Sequence, residues 1–120
     1  MTPFGRALRR LRAERGLTQK RMAADLQLSP AYLSALEHGR RSRPSPMLVM
    51  QICQYFHLIW EDADALERLA ALSQPRVTVD TTGLGADHTE LANRLAADIA
   101  ELDADQVDEL LALLKAQRGT

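Results

Sequence analysis

Two groups of arginines carry the chemistry this sequence can do. Arg6, Arg9, Arg10, Arg12 and Arg15 lie near the start of the chain, and Arg40, Arg41 and Arg43 crowd one short segment. A guanidinium is a permanent cation whose planar fork of N–H donors matches phosphate oxygens. The chemistry on offer is therefore anion recognition rather than bond breaking. The three histidines, His38, His57 and His88, are far apart, and no Cys/His/Asp set has metal-ligand spacing. No glycine-rich phosphate loop and no nucleophile motif is present. No catalytic residue, cofactor or metal site is expected. The single cysteine, Cys53, sits in the apolar run MLVMQICQYF and reads as a buried, inert thiol.

Overall charge is −1, which taken alone argues weakly against a nucleic-acid partner. Its distribution reverses that. Through Arg43 there are ten Lys or Arg against three Asp or Glu, a net of +7, whereas the remainder nets −8. A cationic first part joined to an anionic second part suits electrostatic binding to phosphate.

The elements that must position these arginines can be read from periodicity and caps. Arg6 to Arg15 belong to a first helix. Thr18 is an N-cap, and Met22, Ala23 and Leu26 recur at helical spacing after it. Ala23 is small enough to let a second helix cross closely. Gln27-Leu28-Ser29 forms a tight turn, Ser29 caps the next helix, and Pro30 suits its first turn. Leu33 and Leu36 point inward, and Gly39 ends the helix in a left-handed stop. Two short helices joined by such a turn make a helix-turn-helix, whose second helix lies in the major groove of DNA.

With the inward positions used, Pro30, Ala31, Tyr32, Ser34, Ala35 and His38 face outward. None is Arg, Lys, Asn or Gln, the side chains that read guanine and adenine bidentately. Methyl contacts from Ala31 or Ala35 to thymine remain, as do bonds from Tyr32 or Ser34 to a base edge or phosphate. Shape and water-mediated readout are expected to carry more of the specificity than usual. Of the eight arginines about half are expected to touch phosphate, with Arg40, Arg41 and Arg43 foremost. Arg43 can also reach a minor groove. The competing reading is a helical domain that binds protein and has ordinary surface residues at these positions.

Residues 4 to 58 closely resemble the Cro and phage-repressor-like family, also called the XRE family. The matching words are LRRLRAERGLTQ (8–19), LSPAYLSALEHGRRSRP (28–44) and MLVMQICQYFHL (47–58). The resemblance implies a five-helix domain with functional positions at Gln19, Ala31, Tyr32, Ser34, Ala35, Arg40, Arg41 and Arg43. It places Gln19 at the start of the second helix, against a phosphate, beside Thr18 and Lys20. It also makes Glu37 an internal brace, against an arginine of the first helix. Pro30 and Ala31 depart from the polar residues often found there, which puts the target sequence in question but not the fold.

A fifth helix is expected from about Glu61 to Ser73, with Leu66, Leu69, Ala70 and Leu72 inward and Trp60 packed on the domain. Residues 1–74 then form the DNA-binding domain and 75–86 a connecting segment. Within it Val77-Thr78-Val79-Asp80 alternates, and reads equally as an extended linker or as a strand pairing with a second chain. In 87–120 one stripe holds Leu91, Leu95, Ile99 and Leu102, and the next Val107, Leu110, Leu111 and Leu114. Asp103 caps the second helix, with Gln106 three residues on forming a near capping box. So small an amphipathic pair cannot build its own core. It packs either against a two-fold mate or back on its own domain.

The expected fold is thus all-α: a five-helix repressor-like domain, a short extended segment and a C-terminal helical hairpin. The expected function is a homodimeric regulator, more a repressor than an activator, reading an inverted-repeat operator in double-stranded DNA with helix 29–38. The alternative is an antitoxin-like protein whose C-terminal region neutralises a partner toxin. No signal peptide or membrane-length apolar run is visible, so a cytoplasmic location is expected.

Overall fold

The first helix is fixed at its very start by contacts that reach far along the chain. In the computed structural model, which describes residues 1–118, Thr2 caps α1 (Pro3–Glu14) through its hydroxyl, which accepts the Gly5 N–H at 2.9 Å. The Thr2 N–H donates to the Glu37 carbonyl at 3.0 Å. Gly5 makes this approach possible: a Cβ there would lie 2.2 Å from the Glu37 carbonyl oxygen. The Phe4 N–H donates to Ser73 Oγ at 2.9 Å, and Ser73 donates on to the Leu69 carbonyl at 2.6 Å. The start of α1 is therefore tied to two later helices.

The other helices of this unit are α2 (Gln19–Asp25), α3 (Pro30–Glu37), α4 (Pro46–Tyr55) and α5 (Trp60–Ala71). α1, α3 and α4 each have a hydroxyl-bearing N-cap followed directly by proline, so a missing N–H falls where no helical bond is lost. Phe4, Leu8, Met22, Leu33, Ile52 and Phe56 form the fully buried centre, with Leu66 and Ala70 closing it from α5. Cys53 is buried here as expected, and burial pushes its thiol pKa up, with Glu67 adding to the shift. Tyr55 Oη donates to Asp25 Oδ2 at 2.7 Å, linking α4 to α2. That bond is the main reason the Asp25 carboxyl sits below its usual range.

The fifth helix departs from expectation at both ends. Trp60 is its first residue, held at φ +51° with its side chain 81% exposed, and does not pack on the domain. Ile59 gives the helix no side-chain cap. Leu72, one residue past the helix, is also exposed, and Ser73 takes the buried place near α1.

The chain divides into two compact units, Met1–Val77 and Thr78–Thr120. In the second, α6 (Ala86–Asp98), a 3₁₀ turn (Ile99–Glu101) and α7 (Ala104–Arg118) follow one another. Among the described residues the chain is all-helical and contains no strand, so Val77–Asp80 has no ladder. Residues 80–85 form a built turn rather than open linker. Asp80 accepts the Thr82 N–H at 2.9 Å, the Leu84 N–H reaches the Thr81 carbonyl, and Gly83 takes φ +82°. The Thr82 bond lowers the Asp80 pKa. The capping box is complete: Gln106 N–H donates to Asp103 Oδ1 at 2.8 Å, and Asp103 N–H to Gln106 Oε1 at 3.0 Å. No residue from 78 to 118 is buried. Leu91 and Ile99 are more than half exposed, and Leu95, Val107 and Leu110 more than a third.

Candidate nucleic-acid interface

α2 and α3 are short because both ends of each are specified, the first by a side-chain cap and the last by a left-handed backbone stop. Thr18 Oγ1 accepts the Arg21 N–H at 3.0 Å, and Ser29 Oγ accepts the Tyr32 N–H at 3.0 Å. Between them the chain turns at Gln27, which takes φ +59°. There the Leu28 N–H bonds the Ala23 carbonyl and the Gln27 N–H bonds Ala24, the paired bonds of a left-handed helix stop. Gly39, at φ +74°, closes α3 the same way, with Arg40 N–H to Ala35 and Gly39 N–H to Leu36. Ala23 is wholly buried at the α2–α3 crossing, where a larger side chain would force the helices apart.

Glu37 lies beneath this pair, fully buried. Arg12 Nη2 donates to its Oε1 at 2.7 Å and Gln19 Nε2 to its Oε2 at 2.9 Å. One carboxylate thus joins α1, the first residue of α2 and the last residue of α3. Arg12 is removed from the phosphate-facing set by this pairing. Arg15 is removed as well: its guanidinium lies 5.0 Å from the Phe56 ring centre and donates to the Leu11 and Phe56 carbonyls. Gln19 keeps one amide hydrogen unspent after bonding Glu37. The signal for Arg12 was present in the sequence, four residues after Leu8 on the same helix face.

The remaining residues expected at the interface lie at the start of α2, on α3 and in the loop that follows it. Thr18 and Lys20 are exposed at the start of α2, and Ser29, Pro30 and Ala31 at the start of α3. Tyr32, Ser34 and Ala35 are half-buried, and His38 is exposed with Nδ1 2.8 Å from the Ser34 carbonyl. Arg40, Arg41 and Arg43 are all exposed. The Arg41 guanidinium lies 5.7 Å from the Tyr32 ring centre, so this loop cation adjoins α3. The Arg43 N–H donates to Gln74 Oε1 at 3.0 Å, which fastens that loop to the end of α5. Periodicity gave no sign of this last tie, since Gln74 lies outside any helix.

A family model described as a helix-turn-helix domain matches residues 3–66, more than half of the chain. The chain belongs to the helix-turn-helix domain family. The resemblance to XRE regulators drawn from the motif words agrees with this. Over 62 residues the helix-turn-helix chain is 34% identical to the uncharacterised HTH-type transcriptional regulator RghRB of Bacillus subtilis, covering 52% of this chain and 45% of that protein. The HTH-type transcriptional repressor RghR of the same organism is 34% identical over 61 residues, covering 51% and 45%. The HTH-type transcriptional regulator PrpR of Mycobacterium tuberculosis is 30% identical over 102 residues, covering 82% of this chain and 20% of that protein. That match is longer than the first unit, so it extends into the second. The helix-turn-helix chain spans about half the length of RghRB and RghR and a fifth of PrpR. No solved structure matches it.

Proposed function

We propose that the protein is a DNA-binding transcriptional regulator that acts as a dimeric repressor. α3 would enter the major groove of each half of an inverted-repeat operator, and binding over a promoter would block transcription by occupancy. The observation that carries this reading is the exposed face of α3, flanked by Arg40, Arg41 and Arg43 with Arg41 against Tyr32. Relatives named as transcriptional regulators, one of them a repressor, support it.

In this reading Gln19, Lys20 and the loop arginines hold phosphates and set the register, while Ala31, Tyr32, Ser34, Ala35 and His38 meet the bases. The second unit supplies the two-fold. Its apolar side chains are exposed along α6 and α7, and a unit with no buried residue among those described gains a core only by covering them. Leu91, Leu95, Ile99, Leu102 and Leu110 already line one shallow groove, which a second copy would fill. Val107, Leu111 and Leu114 extend the apolar surface on α7, and Val77 and Val79 flank it in sequence.

Fluorescence anisotropy on DNA from immediately upstream of the gene, against a scrambled duplex of equal composition, tests the proposal. Salt-sensitive, specific saturation at two chains per site is expected. No affinity for either duplex at any salt concentration would overturn it.

A further inference from the structure

The chain leaving α5 does not depart from the loop that follows α3 but returns to it. Gln74 holds the Arg43 N–H, and Pro75 comes within reach of Gly39, where a Cβ would lie 3.8 Å from the Pro75 Cβ. Between the two segments is a cleft lined by Arg40, Arg41, Ser42, Gln74 and Arg76, among others. Three of its lining residues are arginines and none is a carboxylate. Arg76 is exposed, and among the described residues its side chain makes no hydrogen bond or ion pair. Three guanidiniums gathered without a counter-charge repel one another unless an anion joins them.

We infer that this cleft is a binding site for a DNA backbone phosphate and that Arg76 is one of its ligands. The inference rests on the DNA-binding reading above and deepens it. Arg41 belongs to both places, since it lines the cleft and lies over the Tyr32 ring in the first turn of α3. A phosphate in the cleft would thus belong to the same duplex that α3 reads. Ser42 and the Gln74 amide offer neutral donors beside the cations, a mixture suited to a phosphate oxygen. Arg76 would then clamp the backbone from the segment that leads to the second unit, making the start of that connection part of the DNA footprint.

The test is the salt dependence of duplex binding by the full chain, for the wild type, Arg76→Gln, Arg76→Lys and Lys115→Gln. Loss of one phosphate contact lowers the slope of log affinity against log salt by about 0.9. At moderate salt an exposed charge contact of this kind is worth about two- to fivefold in affinity. Arg76→Gln is expected to show both effects on upstream and scrambled duplexes alike. Arg76→Lys should keep the slope, and Lys115→Gln, the same charge change at an exposed position of the second unit, should leave it unchanged. A wild-type slope in Arg76→Gln, or an equal fall in Lys115→Gln, overturns the site while leaving DNA binding intact. Absence of salt-dependent binding by the wild type overturns both. Thermal melting of Arg76→Gln should match the wild type, because the side chain packs against nothing that folding requires.

Discussion

Replacing Glu37 by alanine should be close to the largest single loss of stability this chain can suffer without a change in its apolar core. The carboxylate is fully buried and accepts from both Arg12 and Gln19, and the Arg12 side chain is itself only 11% exposed. Removing one partner of a buried ion pair leaves an uncompensated charge and typically costs about 3–5 kcal/mol. A unit the size of Met1–Val77 has a total stability of about 4–12 kcal/mol. Glu37→Ala therefore removes a large fraction of it, or all. The Arg12→Met, Glu37→Leu double variant should behave differently. It removes both charges together, and it also removes Arg12 Nε, a buried donor with no partner. A net change within about 1–2 kcal/mol of wild type is expected. Urea denaturation of Glu37→Ala, and of Arg12→Met, Glu37→Leu and their double variant read as a double-mutant cycle, measures this. A loss below about 1 kcal/mol in Glu37→Ala, or a double variant as unstable as the singles combined, would refute the reasoning. The double variant also separates folding from binding. It should stay folded yet hold DNA less tightly, because Gln19 would no longer be fixed at the head of α2.

Gly5→Ala should destabilise by about 2–4 kcal/mol, since helix propensity gains about 1 but the new methyl meets the Glu37 backbone; a melting curve like wild type would mean that α1 and α3 can slide apart cheaply. Gln27→Gly should stabilise by about 1 kcal/mol, because the left-handed turn between α2 and α3 is held by a residue with a Cβ; no gain in midpoint would show that the Gln27 side chain compensates. The Asp25 pKa is lowered, so its contribution to stability is present above the ordinary aspartate range and is lost as pH falls through the lowered value. Tyr55→Phe removes the largest cause, so the wild-type minus variant difference should shrink on acidification across that window; a constant difference would reject the link. Leu95→Asp with Leu110→Asp should yield monomers by sedimentation and weaken DNA binding while the first unit keeps its melting transition; persisting dimers would dismiss α6 and α7 as the two-fold contact.

Local signals were legible in the sequence wherever a short-range bond decided the structure. Thr18, Ser29, Gly39 and the Asp103–Gln106 pair act within four residues of themselves, and each takes the role its type and spacing indicate. Ala23 was legible because a steep crossing leaves space only for a small side chain. The arginines were harder, because a charge reads as solvated until the helix face it occupies is worked out. Arg12 follows Leu8 by four residues and points to the core, where Glu37, four after Leu33, meets it. Gly5, Ser73, Gln74 and Arg76 were not legible, since their roles depend on segments 31 to 69 residues distant. Trp60 misled because a large aromatic is usually buried, whereas here, on a left-handed backbone at the start of α5, the indole stands in solvent.

If α3 enters the major groove as proposed, its composition constrains the energetics. A bidentate side chain-to-base pair discriminates by about 1–3 kcal/mol, and no residue on the outward face of α3 can make one as Arg, Lys, Asn or Gln would. Tyr32 is partly engaged by Arg41, and His38 by the Ser34 carbonyl, so two of the polar groups enter with partners already. Ala31 offers a methyl, and Ser34 and Ala35 are half-buried. Affinity must then come chiefly from phosphate contacts, which are indifferent to sequence, and discrimination from groove shape and from requiring two half-sites at once. A single first unit would hold many sequences almost equally. Selectivity beyond groove shape would arise when the second unit couples two of them at fixed spacing, so in the proposed dimer the apolar faces of α6 and α7 would matter to recognition as much as α3 does.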